Sequence, residues 1–130
     1  MSKQVSLMGA ARIAGVDLHL ARTWIDRGYI QLTGNDREAT GRGRCAAAKI
    51  GPEATMRIAL MAAMPRGKGR MAEAARIVRE VDVLTSDVVR FSADWRCVDC
   101  HGNTSDGRRA GLWYSLHLGP MRERVLLAFA

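Results

Sequence analysis

The feature that most constrains this chain is a three-residue break, Gly15-Val16-Asp17, between two short runs of helical apolar spacing. Upstream of it Leu7, Ala10, Ala11 and Ala14 recur on one side of a helical period, which predicts a helix over residues 6–14. Downstream, Leu18, Ala21, Trp24 and Ile25 do the same over residues 18–27. Asp17 is a suitable N-cap, because its carboxylate can accept from the free amides of the next turn. Gly28 can close the second run in the left-handed conformation. Two short helices joined by a glycine-containing turn make a helix-turn-helix arrangement.

The residues that follow extend the pattern. Residues 29–32 read as a short strand, residues 33–44 as a polar loop with three glycines, and residues 45–50 as a returning strand. That is the outline of a wing. Gly51-Pro52-Glu53 opens a third helix to about Met64, with Pro tolerated at the first helical position and Glu53 facing the positive end of the dipole. Pro65-Arg66-Gly67 breaks it, and residues 71–81 form a fourth helix burying Ala74, Ala75, Ile77, Val78 and Val81. Beyond this point residues 88–91 predict a strand. Leu112, Tyr114, Leu116 and Leu118 alternate with Trp113, Ser115 and His117, the period of a half-buried strand. Gly119-Pro120 reads as a turn and residues 125–129 as the next strand.

Charge locates the surface that meets a partner. The chain has 130 residues and a net charge of +7. Up to residue 80 there are 14 Lys and Arg against 7 Asp and Glu, and after it six against six. The whole excess therefore belongs to the amino-terminal part, where a polyanion-binding surface is expected. No apolar run reaches the roughly 18 residues of a membrane span. Residues 1–7 hold one Lys and no apolar core of a secretory signal, and three cysteines fit a reducing compartment. The chain is read as cytoplasmic, with no membrane partner.

The run Gly15-Val16-Asp17-Leu18-His19-Leu20-Ala21-Arg22-Thr23-Trp24-Ile25-Asp26-Arg27-Gly28-Tyr29-Ile30 resembles the helix-turn-helix of MerR-type regulators. Gly51-Pro52-Glu53-Ala54-Thr55-Met56-Arg57-Ile58 looks like that family's third helix and residues 70–81 like its fourth, so the resemblance covers about residues 6–81. It implies a second helix lying in the major groove of double-stranded DNA, with Asp17, His19, Leu20, Arg22 and Thr23 at or near its exposed positions. Arg22 is the candidate for a bidentate contact to guanine, or else to phosphate. Arg27 joins this set, Tyr29 is open between a phosphate contact and core packing, and Trp24 is read as core. Arg37, Arg42 and Arg44 in the wing are candidates for the backbone or minor groove. Two departures stand out: residues 85–130 lack the family's long coiled-coil helix, and Cys45-Ala46-Ala47-Ala48 replaces the usual Arg and Tyr of the second wing strand. Metal or drug sensing is therefore not inherited. Compact phage and mobile-element proteins, among them excisionases and small repressors, share the front half in this way.

Cys97-Val98-Asp99-Cys100-His101 matches the c-type haem attachment sequence in its letters, but that chemistry requires export. As a zinc site it lacks a nearby fourth ligand unless Cys45 or His117 folds in, and no redox βαβ pattern surrounds it. It is read as free thiols beside a strand, with no metal and no cofactor. No enzyme chemistry has positive support. The expectation is an α+β protein, a four-helix winged helix-turn-helix domain (1–81) followed by a small antiparallel β appendage (82–130). The appendage is expected to make a homodimer through Leu112, Tyr114, Leu116, Leu118, Val125 and Leu127, or to recruit a protein partner. The function expected is that of a small transcriptional regulator, a repressor or autoregulator. An architectural excisionase and a DNA-tethered interaction adaptor are the alternatives.

Overall fold

The computed structural model describes residues 4–32, 49–64, 71–92, 98–99 and 113–130. They form a mixed α+β fold in the order β1 (Val5–Ser6), α1 (Leu7–Ala14), α2 (Leu18–Asp26), β2 (Lys49–Ile50), α3 (Pro52–Ala63), α4 (Met71–Glu80), β3 (Val88–Ser92), β4 (Val98–Asp99), β5 (Trp113–His117) and α5 (Leu118–Ala128). The four helices expected before residue 82 are present within a residue or two of their anticipated ends.

The hub is α3. Its residues Ala54, Thr55, Met56, Ile58, Ala59, Leu60 and Met61 are all buried, which covers most of its circumference. A helix apolar nearly all round belongs inside a core, and α1, α4 and α5 pack against this one. Thr55 is polar but satisfied, its hydroxyl donating to the Gly51 carbonyl at 2.8 Å. Arg57 leaves the same helix sideways. It donates to the carbonyl oxygens of Val78 and Val81, the latter at 2.9 Å, and to Glu53 at 3.2 Å. Carbonyls at the end of α4 that have no helical partner are satisfied in this way.

Two antiparallel sheets flank the helices. In one, β1 pairs β2 with Val5 opposite Ile50 and Ser6 opposite Lys49. In the other the order is β4-β3-β5, with Val89 opposite Leu116 and Phe91 opposite Tyr114. Alternation along β3 sends Val89 and Phe91 into the core.

The sequence reading is corrected at two places. Residues 125–129 are not a strand but lie in or just after α5, an 11-residue helix. Leu118, Val125 and Phe129 are buried at helical spacing, with Met121 packed beside them. Gly119-Pro120 is not a turn but part of the first turn of α5, where the amide that Pro lacks has no helical partner to lose. Residues 29–32 are not a strand either. The amides of Tyr29 and Ile30 donate back to the Trp24 carbonyl at 2.8 and 3.2 Å, closing α2. The described part of the returning strand, β2, pairs β1 instead.

One hydrophobic core runs from Leu7 to Phe129 and draws on residues both before and after position 82. Arg122 of α5 strengthens that junction. It donates to the carbonyls of Ser86 at 2.8 Å and Val83 at 3.2 Å and reaches the Asp87 carboxylate at 3.4 Å. The Leu118 amide donates to the Asp87 carbonyl at 2.8 Å.

Candidate nucleic-acid interface

The unit expected to meet DNA is built by local chemistry. Ser6 caps α1, its hydroxyl accepting from the Gly9 amide at 3.1 Å. Gly15 closes that helix at φ 76°, and Val16 then donates to the Ala11 carbonyl at 2.8 Å. A left-handed residue just after the last turn is the usual helix stop, and glycine takes it without strain. Asp17 follows as N-cap of α2, its carboxylate accepting from the His19 amide at 3.1 Å. Gly28, at φ 78°, ends the segment as expected.

Positions along α2 then sort into two sides. Ala21 and Trp24 are buried, and Leu18, Leu20 and Ile25 pack partly against the core. The opposite side carries His19, Arg22, Thr23, Asp26 and Arg27, spaced as one continuous helical stripe. His19, Asp26 and Arg27 are exposed; Arg22 and Thr23 are half-buried. The Arg22 Nε is buried with no hydrogen-bond partner among the described residues. Thr23 spends its hydroxyl proton on the His19 carbonyl at 2.9 Å, so toward a ligand it offers an acceptor. Tyr29 is half-buried and packs partly on the core. Arg37, Arg42 and Arg44 lie outside the described residues, as do Cys45, Cys97, Cys100 and His101. Among the described residues no cluster of His, Cys, Asp and Glu could hold a metal ion, and no helix is long and apolar enough to cross a membrane.

The α2 stripe is not itself strongly basic. Asp17 places a carboxylate at the positive end of the helix, which disfavours a phosphate there, and Asp26 sits between the arginines. Arg12 at the end of α1 and Lys49 on β2 are both exposed. Neither was picked out by the resemblance, although charge counting alone would have found them. The densest basic stretch in the sequence is Arg66-Gly67-Lys68-Gly69-Arg70, between α3 and α4 and outside the described residues.

The residues expected to pair two chains are divided. Leu118 and Val125 are fully buried in the chain's own core and are not available to a second copy. Leu116 packs partly on that core, and Tyr114 lies on β5 opposite Phe91. Leu112 is outside the described residues. Leu127 is 77% exposed.

Comparison with known protein families, with curated proteins and with solved structures finds no match to this chain.

Proposed function

We propose that the chain is a sequence-specific double-stranded DNA-binding protein of winged helix-turn-helix type, acting as a small transcriptional regulator. The observation that carries this reading is the stripe His19-Arg22-Thr23-Asp26-Arg27, held outward on a nine-residue helix whose other side is locked by Ala21 and Trp24. A helix with its side chains is about 10–12 Å across, which suits a major groove about 12 Å wide. Arg22 offers a guanidinium for guanine, or failing that for phosphate, and among the described residues its Nε has no bond to give up first. Arg27, Arg12 and Lys49 take phosphates and release counterions, while the uneven charge of the sequence draws the front half toward the polyanion.

The test is selection of sites from randomised duplexes by the full chain, followed by anisotropy titration across salt concentrations. A recurrent site should emerge, and log affinity should fall against log salt with a slope of about −4 to −5 if about five phosphates are contacted. A pool that stays random after repeated selection, or binding that ignores salt, would reject the reading.

A further inference from the structure

The hydroxyl proton of Thr23 is already assigned. It is donated to the His19 carbonyl one turn back, at 2.9 Å, a bond that threonine makes readily inside a helix. A hydroxyl has one proton and two lone pairs, so toward anything outside α2 this oxygen acts as an acceptor. Against a base edge threonine in general takes either role. The bond to His19 removes one of them. Arg22, the residue before it on the same stripe, is the opposite case, because a guanidinium only donates. Consecutive Cα atoms are about 3.8 Å apart, close to the roughly 3.4 Å step between stacked bases, so these two residues meet the same or adjacent base pairs.

We infer that Thr23 is a specificity-determining residue that selects an exocyclic amino group, adenine N6 or cytosine N4, at or next to the pair that Arg22 reads. This rests on the DNA-binding reading above and adds the chemistry of one position to it. In the major groove adenine and cytosine present an amino donor where thymine and guanine present a carbonyl oxygen. An amino group meets the free lone pairs of the Thr23 hydroxyl. A carbonyl oxygen at the same place sets lone pair against lone pair, unless the hydroxyl turns round and gives up His19. One neutral hydrogen bond lost in this way lowers affinity about three- to tenfold. Arg22 and Thr23 therefore ask for opposite groups, a carbonyl oxygen for the first and an amino group for the second.

Site selection with the full chain as wild type, Thr23→Val and Thr23→Ser tests this. Valine keeps the shape and loses the oxygen, while serine keeps the oxygen. One base position should relax in Thr23→Val and not in Thr23→Ser. At that position the amino group is then deleted from the duplex, with purine in place of adenine or 2-pyrimidinone in place of cytosine, and affinity is measured by anisotropy. Wild type and Thr23→Ser should each lose about three- to tenfold on the deletion, and Thr23→Val should lose nothing further. A Thr23→Val profile identical to wild type, or equal losses for wild type and Thr23→Val on the deletion, would overturn the inference and leave the DNA-binding reading standing. A pool that stays random with wild type rejects that reading, and the inference falls with it.

Discussion

Arg57 on α3 donates to the carbonyl oxygen of Val81, 2.9 Å away and 24 residues later, and so fixes the end of α4 to the central helix. The same guanidinium serves Val78 and Glu53, and its side chain is only 14% exposed. Arg57→Ala should therefore lower stability by about 2–3 kcal/mol in a urea titration, because it strands half-buried carbonyls as well as removing bonds. Arg57→Lys should recover less than half, since one ammonium cannot span two carbonyls and a carboxylate. Glu53→Gln should change stability by under about 0.5 kcal/mol, because that partner is 41% exposed and solvent screens the pair. Equal losses for Lys and Ala would mean that the fork geometry matters as much as argued; equal wild-type stability in all three would remove Arg57 from the junction.

Arg22→Ala should cost about 1–3 kcal/mol in affinity for the selected site and relax preference at one base position. Arg12→Ala and Lys49→Ala should weaken all sequences alike and reduce the salt slope by about one each. Parallel site selection with the three variants separates these roles. An unchanged profile for Arg22→Ala would demote that residue to a phosphate contact.

The Asp82 carboxyl should titrate below its ordinary value of 3.8, because the Thr85 hydroxyl and then the Leu84 amide, at 3.1 Å, favour its charged form. A folded-state value depressed below the unfolded one gives stability that is present above the unfolded value. That stability is lost as pH falls through the folded one. The residue is fully exposed, so the contribution is small. Carboxyl chemical shifts followed from pH 6 to 2 check it, and Thr85→Ala should move the midpoint back toward 3.8. A midpoint at or above 3.8 in the wild type would break the assignment.

What the sequence reveals of this fold follows from how local each signal is. Helices α1 to α3 were legible because their ends are written in single residues: Gly15, Asp17, Gly28 and Pro52 each act within four residues of themselves. The pairing of β1 with β2 was not legible. Strands of two residues carry no period, and Val5 pairs with Ile50, a residue far away in sequence that no local pattern points to. Helix α5 was legible but misread, since Gly119-Pro120 can signal either a turn or a helix start. The spacing Leu118, Met121, Val125 and Phe129 decides for the helix. The alternation of Leu112 to Leu118 was correctly strand-like over Trp113–His117, yet Leu116 packs partly on the chain's own core and Leu118 is buried in it, a fact of tertiary packing. Of the set proposed to face DNA, the shared side of His19, Arg22 and Thr23 follows from helix period. Arg12 and Lys49 are simply exposed cations on α1 and β2.

The front half should not fold by itself. Val89, Phe91, Leu118, Val125 and Phe129 all enter the core that α1 and α3 share, and each of the first four is 0% exposed. Ending the chain at Asp82 would uncover the faces of α3 and α1 that α5 now packs on, and a patch of that kind on a small domain drives association or loss of fixed packing. The truncated chain should therefore show helical circular dichroism without a cooperative melt, and should bind DNA weakly if at all. A point substitution isolates the cause without removing residues. Leu118→Ala should cost about 2–5 kcal/mol, the range for emptying a buried leucine site, whereas Leu127→Ala, at a position 77% exposed, should stay within about 0.5 kcal/mol at concentrations where the chain is monomeric. Urea titrations of the two variants at low micromolar concentration give the comparison. A truncated chain that melts cooperatively, together with a Leu118→Ala variant as stable as wild type, would show that α5 is dispensable to the core.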